Sequence, residues 1–209
     1  MNLILTTAYF PPIEYIALIE NKSAVFIEGD ENYQRQSYRN RMLIVTANGV
    51  QQLSIPVVQN HSKTKIRDVE VDYKTEWQKQ HWRAITAAYN NSPFFLYFQD
   101  YFQPFYEKKH KFLFDFNTEL LAVLLKLCQI NKKILFTEEF QASYEMPMLD
   151  YRALIHPKNR NRPNYPFANQ EKYKQVFDDR HGFISNLSIL DLLCNKGNQT
   201  KQYLKMLSK

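Results

Sequence analysis

A chain of 209 residues and 25.0 kDa can bury a full core as one domain, and two independently stable domains would be a tight fit. Lys plus Arg outnumber Asp plus Glu 27 to 21, a mild excess beside that of dedicated nucleic-acid binders, suited equally to an anionic small molecule, a phosphate or a membrane surface. With 44% hydrophobic and 15% aromatic residues the composition is globular rather than disordered, and only 4 Gly leave little scope for a glycine-built phosphate loop.

Leu3 to Ala8 reads as a buried strand, and Pro11-Pro12 opens a helix running through Glu20 or Asn21. Ala24 to Glu28 reads as a second strand, and this strand-helix-strand order favours a parallel pair. Two further strand-like runs, Met42 to Ala47 and Gln51 to Val58, flank Asn48-Gly49, a strong hairpin signal. The alternation over Val69 to Tyr73 predicts one more strand.

The chain then turns helical from Thr75 to about Ile130. Trp77, His81, Ala84, Ile85, Ala88 and Tyr89 fall on one helical face, while Lys79 and Arg83 point away. Asn91-Ser92-Pro93 ends that helix and starts an aromatic-rich one from Phe94 to Phe105; a third, capped by Asp115 or Asn117, is apolar nearly all round from Leu120 to Cys128. Lys133 to Thr137 is a short strand candidate for the first sheet. Tyr144 to about Gln175, with Pro147, Pro157, Pro163, Pro166 and the basic run Lys158 to Arg162, reads as a long exposed loop. Ser188 caps a helix with Asp191 three residues on, Gly197 ends it, and Asn198 caps a last helix through Tyr203, Leu204 and Leu207. The expected fold class is α/β, a mixed sheet with helices, with α+β as the other option. The expected unit is one domain over 1–209, with residues 1–74 β-rich, residues 75–131 helical, a long loop over 144–175 and C-terminal helices over 186–209.

The N-terminal apolar run lacks a preceding basic region and is broken by Pro11-Pro12, against a secretory signal. No stretch approaches the roughly 18 apolar residues of a membrane span, so a cytoplasmic location is expected. Cys128 and Cys194 sit in apolar runs and read as buried hydrophobes. The histidines at 61, 81, 110, 156 and 181 have no metal-ligand spacing, and neither a Walker, a Rossmann nor a nucleophile-elbow pattern occurs. No metal or cofactor is expected.

The most informative segment is Glu31 to Arg41, which carries three Arg, two Tyr and four side-chain amides without one aliphatic residue, between two strand-like runs. Arg39 and Arg41 are two apart, so in an extended segment they project the same way and could clamp a phosphate or carboxylate; Asn40 would face oppositely. Gln36 and Tyr38 could orient a sugar. Tyr9 could present its hydroxyl at the carboxyl end of the first strand, or serve only as an aromatic staple. Glu28, ending the second strand, is either a base or anchor, or an ordinary solvated edge. His81 is a core histidine by default, or a general base if its face borders a cleft.

Several segments together resemble the motif series of WbqC-like proteins. They are Thr7 to Tyr15, Glu31 to Arg41, Leu53 to Val57, Gln80 to Ile85, Ser92 to Phe95 and Leu187 to Leu193. The resemblance implies surface-polysaccharide (O-antigen) assembly in bacteria, with acyl or aminoacyl transfer to an amino sugar as a plausible step. On that implication Arg39 and Arg41 grip the phosphates of a nucleotide-activated amino sugar and His81 or Glu28 deprotonates its amine. The alternative is a non-catalytic binding or scaffold protein, with nucleic acid as one partner, using Lys63, Lys65, Arg67, Lys108, Lys109, Lys111, Arg160 and Arg162. The expected partner under the first reading is a small anionic or nucleotide-sugar-like substrate.

Overall fold

The protein is seen here as a computed structural model that describes residues 1–58, 63–159 and 170–207. His61, Arg160 and Arg162 lie outside the described residues. The chain begins with β1 (Asn2–Thr6), whose Leu3, Ile4 and Leu5 have no exposed surface, as a strand covered on both faces requires. Pro12 precedes α1 (Ile13–Asn21), and β2 (Val25–Glu28) returns parallel to β1 with Leu3 opposite Val25 and Thr6 opposite Glu28. A separate antiparallel hairpin follows, β3 (Arg41–Thr46) and β4 (Gly49–Ser54). Its turn depends on Gly49, whose φ of 99° is costly for any residue with a side chain.

The helical half holds α2 (Trp77–Tyr89), α3 (Phe95–Phe102), α4 (Pro104–Glu107) and α5 (Leu113–Leu127). Then come β5 (Ile134–Phe136), β6 (Met148–Asp150), α6 (Asp178–His181), α7 (Ile189–Lys196) and α8 (Thr200–Met206). The main sheet has four parallel strands in the order β5-β2-β1-β6, so the chain builds outward from β1 on one side and closes with β6 on the other. The fold is therefore mixed α/β, with a parallel sheet, a separate hairpin and helices. Buried apolar residues from Leu3 to Leu204 form one contiguous cluster. No helix among the described residues is long and apolar enough to cross a membrane.

Several expectations need correction. Residues 69–73 make only isolated bridges, Val57 to Val71 and Glu70 to Phe112, and β4 stops at Ser54, the Ile55 N–H making one last bond to the Asn40 carbonyl ahead of Pro56, which has no N–H to donate. The aromatic helix is split at Gln103, where Pro104 starts α4. α5 begins at Leu113, ahead of Asp115 and Asn117, with no side-chain cap. The expected exposed loop contains β6, and its later stretch is packed inside: Gln170, Tyr173 and Gln175 are buried. Ser188 does cap α7, accepting from the Leu190 N–H at 3.3 Å. Asp191 is fully buried and accepts from Tyr173 Oη at 2.6 Å and Gln175 Nε2 at 2.9 Å, which fastens that loop to α7. A short turn over Gly197–Gln199 precedes α8, displacing Asn198 from the capping position.

Candidate functional site

In an open parallel sheet, ligands gather outside the carboxyl ends of the strands, where the connections change direction. Here that edge is charged. Glu28, at the end of β2, has no exposed surface; its Oε1 accepts from the Asp30 N–H and the Thr137 hydroxyl, each at 2.8 Å. Its Oε2 meets Arg152 Nη1 at 3.3 Å. Arg152 follows β6 and forks onto Asp150 at 2.9 and 2.6 Å, under the rings of Phe140 and Tyr144. Beside them Arg39 grips Glu31 with two bonds of 3.0 and 2.7 Å, both side chains buried. Burial pushes the Glu31 carboxyl above its ordinary value, and Arg39 offsets only part of that rise. This edge is thus a platform whose charged groups engage one another.

The segment 31–41 leaves the platform through a run of turns and is pinned on every side. The Ile66 N–H donates to the Glu31 carbonyl, the Tyr9 N–H to the Tyr38 carbonyl, and Asn117 Nδ2 to the Arg39 carbonyl. Asn40 Nδ2 donates to the Ile55 carbonyl at 2.8 Å. Against this frame lies a polar cleft of about 380 Å³ lined by Tyr33, Arg35, Gln36, Asn40, Arg41 and the Val57-Val58 pair. Gln36 adopts φ 59°, a left-handed conformation that costs a non-glycine residue about 1–3 kcal/mol. Asn40 Oδ1 and Arg41 Nε are buried and meet no hydrogen-bond partner among the described residues. A buried polar atom left so costs about 1–3 kcal/mol, which a ligand supplying the missing partner would offset.

Of the residues singled out by sequence, the structure brings Gln36, Asn40 and Arg41 to this cleft and leaves the others elsewhere. Arg39 is engaged with Glu31, because residues 35–40 form turns rather than a strand and the alternation that would align it with Arg41 does not apply. Tyr38 is buried against the core. Glu28 belongs to the platform. His81 and Tyr9 are packed inside, with Tyr9 Oη 3.0 Å from His81 Nδ1 and 2.7 Å from Tyr106 Oη. The imidazole stacks on Tyr9 and meets the edge of Trp77, with ring centroids 5.8 and 5.2 Å apart. Burial pushes the His81 pKa down to about 4, against the opposing effect of a hydrogen bond with the Ser54 backbone. The picture of one hollow shared by Arg39, Arg41, Glu28 and His81 is therefore corrected: they occupy three places.

Sequence reasoning missed a second, larger cleft of about 620 Å³ between α5 and the sheet. Thr7 and Asn117 line its buried end, Lys126 and Lys132 its open end. The apolar run of α5 suggested burial all round, yet Ala122 and Lys126 lie on an exposed stripe that continues Asp115 and Glu119. Their i, i+4, i+7, i+11 spacing was the available signal. The basic residues considered for nucleic acid are largely matched: Lys65 and Arg67 both engage Asp30, Lys108 faces Glu119 and Lys111 faces Glu70.

The profile of the WbqC-like protein family matches residues 7–152, which include β2 to β6 and both clefts. A Mycobacterium tuberculosis protein carrying the name "Uncharacterized protein Rv1507c" is 26% identical over 226 residues, spanning 97% of this chain and 96% of that protein. No solved structure matches the chain.

Proposed function

Because the chain belongs to the WbqC-like protein family, we propose that it is a transferase of bacterial surface-polysaccharide (O-antigen) assembly, attaching an acyl or aminoacyl group to a nucleotide-activated amino sugar. The polar cleft holds the sugar nucleotide. Its phosphate meets Arg41 and Arg35, and sugar hydroxyls meet Gln36 and Asn40. The observation that carries this reading is the juxtaposition, in one concavity, of a buried donor, Arg41 Nε, and a buried acceptor, Asn40 Oδ1, each without a partner among the described residues. A ligand bearing both an anion and hydroxyl groups satisfies the two together, and Tyr33 supplies an aromatic wall.

In this reading the platform of Glu28, Arg152, Glu31 and Arg39 holds the rim of the cleft rigid, and the His81-Tyr9-Tyr106 chain fixes α2 against the turn that carries Tyr9. Preorganised charge beside the bound phosphates supplies the rate enhancement. Binding of uridine-diphosphate amino sugars is expected to raise the melting temperature of the protein, by about 2.7 kcal/mol of stabilisation at a hundredfold excess over Kd. Arg41→Ala is expected to abolish that rise while leaving the melting temperature of the free protein within a few degrees of wild type. A rise that persists in Arg41→Ala, or one produced equally by any polyanion, would overturn the assignment.

A further inference from the structure

The cleft between α5 and the sheet is chemically unlike the polar one. Its walls are Ile27, Leu121, Leu125, Ile130, Ile134 and Phe136, and no carboxylate lines it. Its volume of about 620 Å³ falls in the range of about 300–1,000 Å³ common to small-molecule sites. From Asn117 to Lys126 it follows α5 over nine residue steps, about 14 Å at ~1.5 Å per residue, and it continues past the helix end along Gln129 to Lys132. It is an elongated groove with different polar groups at its two ends.

At the open end stand Lys126 and Lys132. Lys132 Nζ donates to the Lys22 carbonyl at 2.5 Å and Lys126 Nζ lies 5.7 Å from the Tyr101 ring centroid, but neither meets a carboxylate among the described residues. At the buried end, Asn117 is 1% exposed. Its Nδ2 is committed to the Arg39 carbonyl, which fixes the amide, and its Oδ1 has no partner among the described residues. The occupant that answers all three features carries an anion at one end, a slender uncharged middle with apolar segments, and an N–H donor near the other end.

We infer that this cleft binds a phosphopantetheine-type thioester, the phosphate between Lys126 and Lys132, an amide N–H on Asn117 Oδ1, and the acyl group at the buried end. The inference rests on the transferase reading and names its donor. Asn117 holds the carbonyl of Arg39, and the next residue, Asn40, lines the polar cleft. One backbone step thus joins the wall of the donor cleft to that of the acceptor cleft. The chemical step is N-acylation: the sugar amine forms a C–N bond to the thioester carbonyl carbon as the C–S bond breaks, and the amine proton passes to the departing thiolate.

The test measures binding of acetyl-phosphopantetheine and of acetyl-coenzyme A to the intact protein by calorimetry. Ala122, on the exposed lip of the cleft, is replaced in Ala122→Trp to fill the channel from outside the core. A double variant, Lys126→Glu with Lys132→Glu, reverses the charge at the mouth and serves should the tryptophan disturb folding. Both ligands are expected to bind wild type, and each variant to weaken binding by at least about tenfold while the uridine-diphosphate amino sugar still raises its melting temperature. Comparable affinity for the two ligands assigns recognition to the arm, as a carrier-borne donor requires; tighter binding of acetyl-coenzyme A assigns the free coenzyme. Failure of both to bind wild type at millimolar concentration, or unchanged affinity in the double variant, overturns the inference. Because the sugar-nucleotide response is read separately, its own loss would indict the polar cleft instead.

Discussion

Burial acts on His81 and Asp191 with opposite consequences in acid. The His81 pKa falls from 6.5 to about 4, so the folded state refuses a proton that the unfolded chain accepts. Its contribution is complete above pH 6.5 and is lost as pH falls through about 4, about 3 kcal/mol in all. Asp191 rises from 3.8 to about 6, mainly by desolvation, against the lowering effects of Tyr173 and Gln175. Its contribution is complete below pH 3.8 and is lost as pH rises through 6, again about 3 kcal/mol. The two effects oppose each other over nearly the same window. Relative to wild type, Asp191→Asn is expected to lose several degrees more of melting temperature between pH 6.5 and 4, and His81→Gln several degrees less. Parallel curves for all three proteins would refute the assignment. The sequence offered Asp191 only as the companion of a helix cap, since a carboxylate three residues after Ser188 is explained locally; its contacts come from residues 173 and 175, which no local pattern reveals. For Arg39 and Arg41 the sequence pattern was visible but its geometry was not, because the spacing of two implies a common direction only in a strand.

Elements with long apolar runs or strong punctuation were legible: β1, β2, α1, α2 and the hairpin at Asn48-Gly49. Those decided by distant contacts were not. β6 is three residues long and exists because β1 offers an open edge, with Asn2 opposite Met148 and Ile4 opposite Asp150. The start of α5 lies at Phe112-Leu113 because the Leu113 N–H donates to the Val69 carbonyl, a partner absent from any local cap signature. The end of α7 was legible through Gly197, which adopts φ 52° and whose N–H donates to the Leu193 carbonyl. A Cβ there would stand 2.6 Å from the Phe94 ring. Gly197→Ala therefore meets both a left-handed backbone and a ring clash, and is expected to destabilise by about 1–3 kcal/mol. A lowered urea midpoint with an unchanged slope would bear this out, and an unchanged midpoint would refute it.

At the scale of the whole molecule, the polar half of the candidate site was foreshadowed by composition, since a strand-flanked run of arginines and amides has few other uses. The apolar half was not, because a groove between a helix and a sheet is made of residues that each look like core. Net charge gave a similar half-answer. The excess of +6 is real, but Lys65, Arg67, Lys108 and Lys111 stand opposite carboxylates, which flattens the field a polyanion would follow. A fluorescent single-stranded oligonucleotide is accordingly expected to show no saturable binding at physiological salt; saturation there would restore the scaffold reading. The sheet order carries one more implication, for biosynthesis. The strand that completes the flank of β1 is encoded some 145 residues after it, so a nascent polypeptide leaving the ribosome holds a strand destined for burial with one side bare until translation has passed Asp150. Through that interval the half-built sheet presents unpaired amides and carbonyls to its surroundings, and premature stops short of Met148 would strand the product in that sticky state.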